Sequence, residues 1–182
     1  MPNLTENTQL GGQRIARIVY SKEAVQRRVR ELAADISRTY TAADRLLVVG
    51  TLKGSFLFLA DLVREIDLPL HVDFLMASSY GTGMVSTGEV RLLYDPGSEM
   101  KGRAVILVED IVDTGATLNK LLPRLEARDP ASLEVCTLLH KHLVPMDKEP
   151  RWVGFDAPNE FLVGYGLDYA EDFRHLPYIA SL

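Results

Sequence analysis

The sequence predicts an α/β fold, a mostly parallel twisted sheet flanked by helices. Short continuous apolar runs rich in valine and leucine occur at residues 46–50, 104–108 and 132–139, the pattern of strands covered on both faces. Segments of helical periodicity at 56–66 and 116–127 separate them, so strand and helix alternate as in β-α-β units. A length of 182 residues suffices for one domain with a full core and is short for two.

Each element follows from local pattern. Residues 1–20 are polar and glycine-containing up to Ile15, Ile18 and Val19. Ser21 is a candidate helix cap, with Ala24 where a capping box would place an acid or amide. Val25, Val29, Leu32 and Ile36 recur at helical spacing through 22–38, beside Arg27, Arg28 and Arg30, which read as a solvated face. Leu46 to Gly50 reads as a buried strand, Phe56 to Ile66 as a helix, and Leu70 to Met76 as a second strand. Residues 77–89 are glycine-rich with little to pack, a candidate mobile loop. Val90 to Tyr94 forms a short strand ending at the turn signal Asp95-Pro96-Gly97. The helix at 116–127 contains Pro123, which removes a donor and predicts a kink. From Arg151 onward, aromatic and valine runs are broken by glycine and proline. These segments predict a single domain with its core at about 40–145 and a small irregular hood made from about 1–20 and 146–182. Ligands of such a sheet gather beyond the C-terminal ends of its strands.

Composition excludes several classes. Hydrophobic residues make up 47% of the chain and charged residues 25%, a soluble mixture, and no apolar stretch is long enough to span a bilayer. The N-terminus has neither a basic start nor an apolar run, so cytoplasmic residence is expected, with no membrane partner. The net charge of −5 offers nucleic acid no broad electrostatic attraction. Cys136, the only cysteine, cannot close an intrachain disulfide and reads as a small buried hydrophobe.

The chemistry concentrates where the strand at 104–108 gives way to Glu109-Asp110-Ile-Val-Asp113-Thr114-Gly115-Ala116-Thr117. One reading is a capped strand-to-helix loop with Asp113 or Thr114 as N-cap. The other is a ligand site: backbone N–H groups at a helix N-terminus donate to a phosphate, and Thr114 and Thr117 add hydroxyl donors. Glu109 and Asp110 would repel that phosphate unless they held ribose hydroxyls or a hydrated cation, which points to a sugar phosphate. Neither the triphosphate-binding loop nor the dinucleotide fingerprint is present.

With these residues the chain resembles the type I phosphoribosyltransferases, and within them the hypoxanthine or hypoxanthine–guanine branch. The likeness rests on Val105 to Leu118. It extends to Leu52-Lys53-Gly54-Ser55, Ser79-Tyr80-Gly81, Lys141, Arg151 to Phe155, and Val163 to Tyr169 with Phe173-Arg174, spanning roughly 15–180. It implies transfer of phosphoribose from 5-phospho-α-D-ribose 1-diphosphate (PRPP) to N9 of a 6-oxopurine, with Mg²⁺ as cofactor and assembly as dimers or tetramers.

The resemblance also implies roles. Asp113 would transfer a proton near purine N7. Thr114, Gly115, Ala116 and Thr117 would hold the 5′-phosphate, and Glu109 and Asp110 would engage the ribose hydroxyls directly or through Mg²⁺. Leu52, Lys53 and Gly54 would form the pyrophosphate loop, with a non-proline cis bond before the lysine, and Arg174 would be the second cation there. A bare Leu-Lys-Gly or a lone C-terminal arginine would otherwise be ordinary surface. Lys141 would donate to the exocyclic O6 and so reject adenine. Trp152, which by itself fits core packing equally well, would stack on the base, with the Val153 backbone reading its edge. Ser79 and Tyr80 would belong to a closing lid, supported by Asp168 and Tyr169. Asn159 would stand where an aspartate contacts the metal on pyrophosphate. His140 and His142 lack regular metal-ligand spacing and read as structural or solvent-facing. A xanthine- or guanine-preferring relative is the near alternative. A uracil-responsive RNA-binding regulator of the same fold would want a basic face that this chain lacks.

Overall fold

Six strands form the main sheet in the order β4-β3-β2-β5-β6-β7, and all neighbours run parallel except β3 and β4. The strands are β2 (Leu47–Leu52), β3 (His71–Ser79), β4 (Val90–Tyr94), β5 (Ala104–Val112), β6 (Ser132–His140) and β7 (Trp152–Asp156). Helices α1 (Lys22–Thr39), α2 (Phe56–Glu65) and α3 (Ala116–Glu126) cover the sheet. A second sheet, in the order β1-β9-β8, joins β1 (Arg17–Tyr20), β9 (Ile179–Ser181) and β8 (Leu162–Val163), pairing the two ends of the chain in the hood. The computed structural model describes residues 13–79 and 90–182.

The apolar runs are continuous because alternate residues serve different layers. Val48, Ile106, Val108 and Leu138 face α1 and α2, packing with Val29, Leu32, Phe58 and Leu62. Their neighbours Leu47, Val49, Val105, Leu107 and Val135 face α3, packing with Leu118, Leu121 and Leu125. Ser21 caps α1 by accepting from the Ala24 N–H at 3.2 Å, and α3 continues through Pro123. Cys136 is buried and free. Among the described residues no helix is long and apolar enough to cross a membrane.

Four local expectations change. Strand β5 does not stop at Val108: its pairing with β6 continues through Glu109 to Val112, so the acidic pair belongs to the strand. Ala77–Ser79, expected in the glycine-rich loop, extend β3 and pair with β4. The hood does not take everything after residue 146, because β7 pairs with β6 as an edge of the main sheet. Arg28 is no solvated side chain either. Its guanidinium donates to the carbonyls of Val153 at 2.8 Å and Gly154 at 2.7 Å, fastening β7 to α1.

Candidate active site

A cavity of about 310 Å³ opens beyond β5, lined by residues 109–118 with Thr51 and Ala77. The N-cap of α3 is Gly115, neither Asp113 nor Thr114, and no side chain caps the helix. Gly115 has φ 70°, a left-handed conformation suited to glycine, and a Cβ there would lie 2.8 Å from Met146 Cε. The first N–H groups of α3 therefore remain available to an anion, with exposed Thr114 and Thr117 beside them.

The acidic pair is unusual electrostatically. Glu109 is buried, and its Oε1 has no hydrogen-bond partner. Burial, and secondarily the Asp110 charge, push its carboxyl up to about 8. The Thr51 hydroxyl lowers it slightly without making a hydrogen bond of normal geometry. Burial also raises Asp110, to about 6, against the backbone N–H of Ile111, which donates to its Oδ1 at 2.9 Å. Arg174 and Asp168 both act on Asp110 through charge, so the hood reaches the strand end.

Lys53 and Arg174 come together at one carboxylate. Lys53 follows a cis Leu52–Lys53 peptide, and its Nζ lies 3.0 Å from Glu171 Oε2. Arg174 Nη2 lies 3.4 Å from that same oxygen and 2.8 Å from Asp168 Oδ1, while its Nη1 donates to the Gly166 carbonyl. Its Nε is buried without a partner. The Lys53 loop can approach both the acids and the hood because it carries glycine. A Cβ on Gly54 would lie 1.7 Å from Asp110 Oδ2, and one on Gly166 would lie 2.0 Å from the Gly54 carbonyl oxygen.

Across the cavity mouth, exposed Asp113 meets Lys141, Oδ2 to Nζ at 3.4 Å. The other residues expected at the purine are not brought there. Trp152 pairs in register with Cys136, whereas His140, the residue before Lys141, pairs with Asp156. Four residues of strand separate the two levels, roughly 13 Å. Trp152 is 6% exposed, tilted against Tyr40 in the core with the Arg151 guanidinium over its ring. The Val153 carbonyl is taken by Arg28. Phe161, just before β8 in the hood, is 54% accessible and edge-on to Tyr169. Asn159 is exposed in the turn between β7 and β8, while the carboxylate that acts on Asp110 is Asp168. Ser79 ends β3; Tyr80 and the rest of the expected lid, through Glu89, lie outside the described residues.

The histidines flanking Lys141 are one buried, His140, and one exposed, His142, in line with a structural and a solvent-facing residue, yet they do not stand apart. His142 lies over the buried His140, the rings tilted with centroids 3.7 Å apart, and with Glu149 they form a cluster that could hold a metal ion. Their sequence spacing gives no sign of this, because Glu149 joins through the loop after β6.

A parallel sheet whose interior strand ends in paired acids before an open helix N-terminus has the architecture of a phosphoribosyl-transfer enzyme. The model of the phosphoribosyl transferase domain family matches residues 17–170. A hypoxanthine phosphoribosyltransferase of Haemophilus influenzae is 47% identical over 171 residues, covering 91% of this chain and 94% of its own. A hypoxanthine-guanine phosphoribosyltransferase of Mycobacterium bovis is 44% identical over 174 residues, covering 92% of this chain and 86% of its own. The crystal structure of a hypoxanthine phosphoribosyltransferase from Staphylococcus aureus superposes with a TM-score of 0.89 at 40% identity, covering 100% of this chain and 96% of that one. This chain belongs to the type I phosphoribosyltransferases, in their hypoxanthine and hypoxanthine–guanine family.

Proposed function

We propose that the enzyme serves purine salvage, moving the 5-phosphoribosyl group of PRPP to N9 of hypoxanthine or guanine and releasing IMP or GMP with pyrophosphate. The observation that carries this reading is the Asp113–Lys141 pair, set beside the open N-terminus of α3. A 6-oxopurine offers an acceptor at O6 for the Lys141 ammonium and a proton at its imidazole edge for the Asp113 carboxylate. Adenine presents an amino group at position 6, which an ammonium cannot donate to.

The substrate anchors divide along the cavity. Thr114, Thr117 and the N–H groups of residues 114–117 hold the 5′-phosphate, and Glu109 and Asp110 receive the ribose hydroxyls. Lys53 and Arg174 turn from Glu171 to the pyrophosphate, a bidentate anion that suits the arginine fork. Positive charge develops at C1 as the pyrophosphate departs, and the Asp110 carboxylate, raised less than Glu109, stabilises it. Mg²⁺ requires hard oxygen donors, and the unpartnered Oε1 of Glu109 and the Asp110 carboxylate, on which Asp168 acts through charge, fit that need. When bound, Mg²⁺ would neutralise charge on the leaving pyrophosphate. We assign the stacking surface to Phe161 in place of Trp152, and the third carboxylate to Asp168 in place of Asn159. Ser79 and Tyr80 remain candidates for the lid. Self-association as a dimer or tetramer completes the reading, supported by the exposed apolar side chains Val72, Phe74, Leu93 and Tyr94 on the β3–β4 edge.

The test is a panel of hypoxanthine, guanine, xanthine and adenine, each incubated with PRPP and Mg²⁺ while nucleotide and pyrophosphate are measured. Equal yields of both products from hypoxanthine, with adenine inert, are expected. Absence of nucleotide from hypoxanthine and guanine alike overturns the reading. Lys141→Ala should narrow the margin against adenine, and an unchanged margin removes its O6 contact.

A further inference from the structure

We propose that His140, His142 and Glu149 form a binding site for a transition-metal dication of the Zn²⁺ class, separate from the carboxylates that suit Mg²⁺. One ligand atom from each of the three lies within 4.8 Å of the others. His140, the last residue of β6, is 1% exposed, yet neither of its ring nitrogens has a hydrogen-bond partner. A buried imidazole with both nitrogens unpaired is costly, and an ion bound to one of them removes part of that cost. The nearest charged group is Glu149, with Oε2 3.8 Å from His140 Nε2. That is too long for a hydrogen bond and close to the ~3.4 Å that separates two ligands on one tetrahedral ion.

The surroundings orient the donors. Glu149 Oε1 accepts from the Met146 N–H at 3.3 Å, leaving Oε2 toward His140. His142 has φ 51°, a left-handed conformation rare for a side chain of this size, and its ring lies back over His140. Asp156 Oδ1 sits 2.7 Å from His142 Nε2, where it can accept that proton and fix the ring while the other nitrogen faces a metal. Burial, followed by the neighbouring His142, lowers the His140 pKa and favours the neutral imidazole that metals bind. Two imidazoles and one carboxylate select Zn²⁺, Ni²⁺ or Cu²⁺ over Mg²⁺, which prefers an all-oxygen shell.

Position gives the site a consequence. Lys141 lies between two of the ligands, and Met146, three residues before the third, packs against Gly115 of the phosphate loop. An ion here would tie residues 140–149 together alongside the purine end of the cavity. The test uses the full chain stripped of metal with a chelator. Calorimetric titration with Zn²⁺ and visible absorption with Co²⁺ are compared in the parent, His142→Ala and Glu149→Gln, both substitutions of exposed residues. One Zn²⁺ per chain, a tetrahedral Co²⁺ band, and at least ~10-fold weaker binding in each variant are expected, with millimolar Mg²⁺ failing to compete. No Zn²⁺ binding, equal affinity in parent and variants, or displacement by Mg²⁺ overturns the proposal.

Discussion

Glu109 is raised to about 8 by burial and by Asp110, from an ordinary value of 4.5. A folded pKa above the unfolded one means the native chain holds the proton more tightly. The stabilising share is therefore complete below 4.5 and is lost as pH rises toward about 8. Asp110, raised to about 6, acts in the same direction over a narrower window. Glu109→Gln cannot ionise, so denaturant melts of the ligand-free variant should fall less steeply over this range, by up to about 1.4 kcal/mol per pH unit. A slope equal to the parent's contradicts the assignment. The aromatic residues separate as cleanly. Phe161→Ala should raise the KM for hypoxanthine about tenfold with the melt unchanged. Trp152→Ala should cost about 3 kcal/mol of stability while leaving the KM of the folded fraction alone. The reverse outcome returns stacking to Trp152. Asp168→Asn should raise the Mg²⁺ concentration needed for half-maximal rate, and Asn159→Asp should not lower it; a drop in the second variant restores Asn159 as a ligand. Trp152 and Phe161 each stand in an aromatic-valine run, and a sequence does not show that Trp152 is buried in the core while Phe161 is exposed.

At the level of elements, the loop after β2 and the hood segment at 164–174 work as one unit. Gly54 lets the loop approach Asp110, and Gly166 lets the hood approach Gly54. Gly54→Ala should therefore reduce kcat/KM for PRPP at least ~100-fold, since its Cβ overlaps the carboxylate that would contact the sugar. Parent-level catalysis with intact folding would show that the close approach is dispensable. The helices and interior strands were legible because period and burial coincide in them: Val29, Leu32 and Ile36 on α1, and Val105 to Val108 on β5. The end of β5 was not, because Glu109 and Asp110 look like loop residues although their backbone stays paired and Glu109 is buried. Arg28 misled in the same way. An arginine on a helix reads as solvated until the strand edge it fastens is known.

For the whole molecule, a net charge of −5 coexists with a site for a highly anionic substrate because attraction is local: an uncapped helix N-terminus, Lys53 and Arg174. The parallel order and the strand-end location of the site followed from the alternation of strand and helix. The hood was expected from the irregular segments at the two ends of the chain, but its strand pairing was not, since β1, β8 and β9 are too short to carry a periodic signal and pair across most of the chain length. The His140–His142–Glu149 cluster was equally hidden, its third member being placed by a loop. In the proposed reaction the β5 to α3 segment is the phosphoribosyl site, with Asp113 handling the purine proton. Its most direct measurement is the rate of IMP formation from hypoxanthine and PRPP in the parent and in Asp113→Asn, at saturating Mg²⁺. The parent should form IMP and the variant should be at least ~100-fold slower in kcat with an unchanged KM for PRPP; equal rates in the two proteins would contradict the claim.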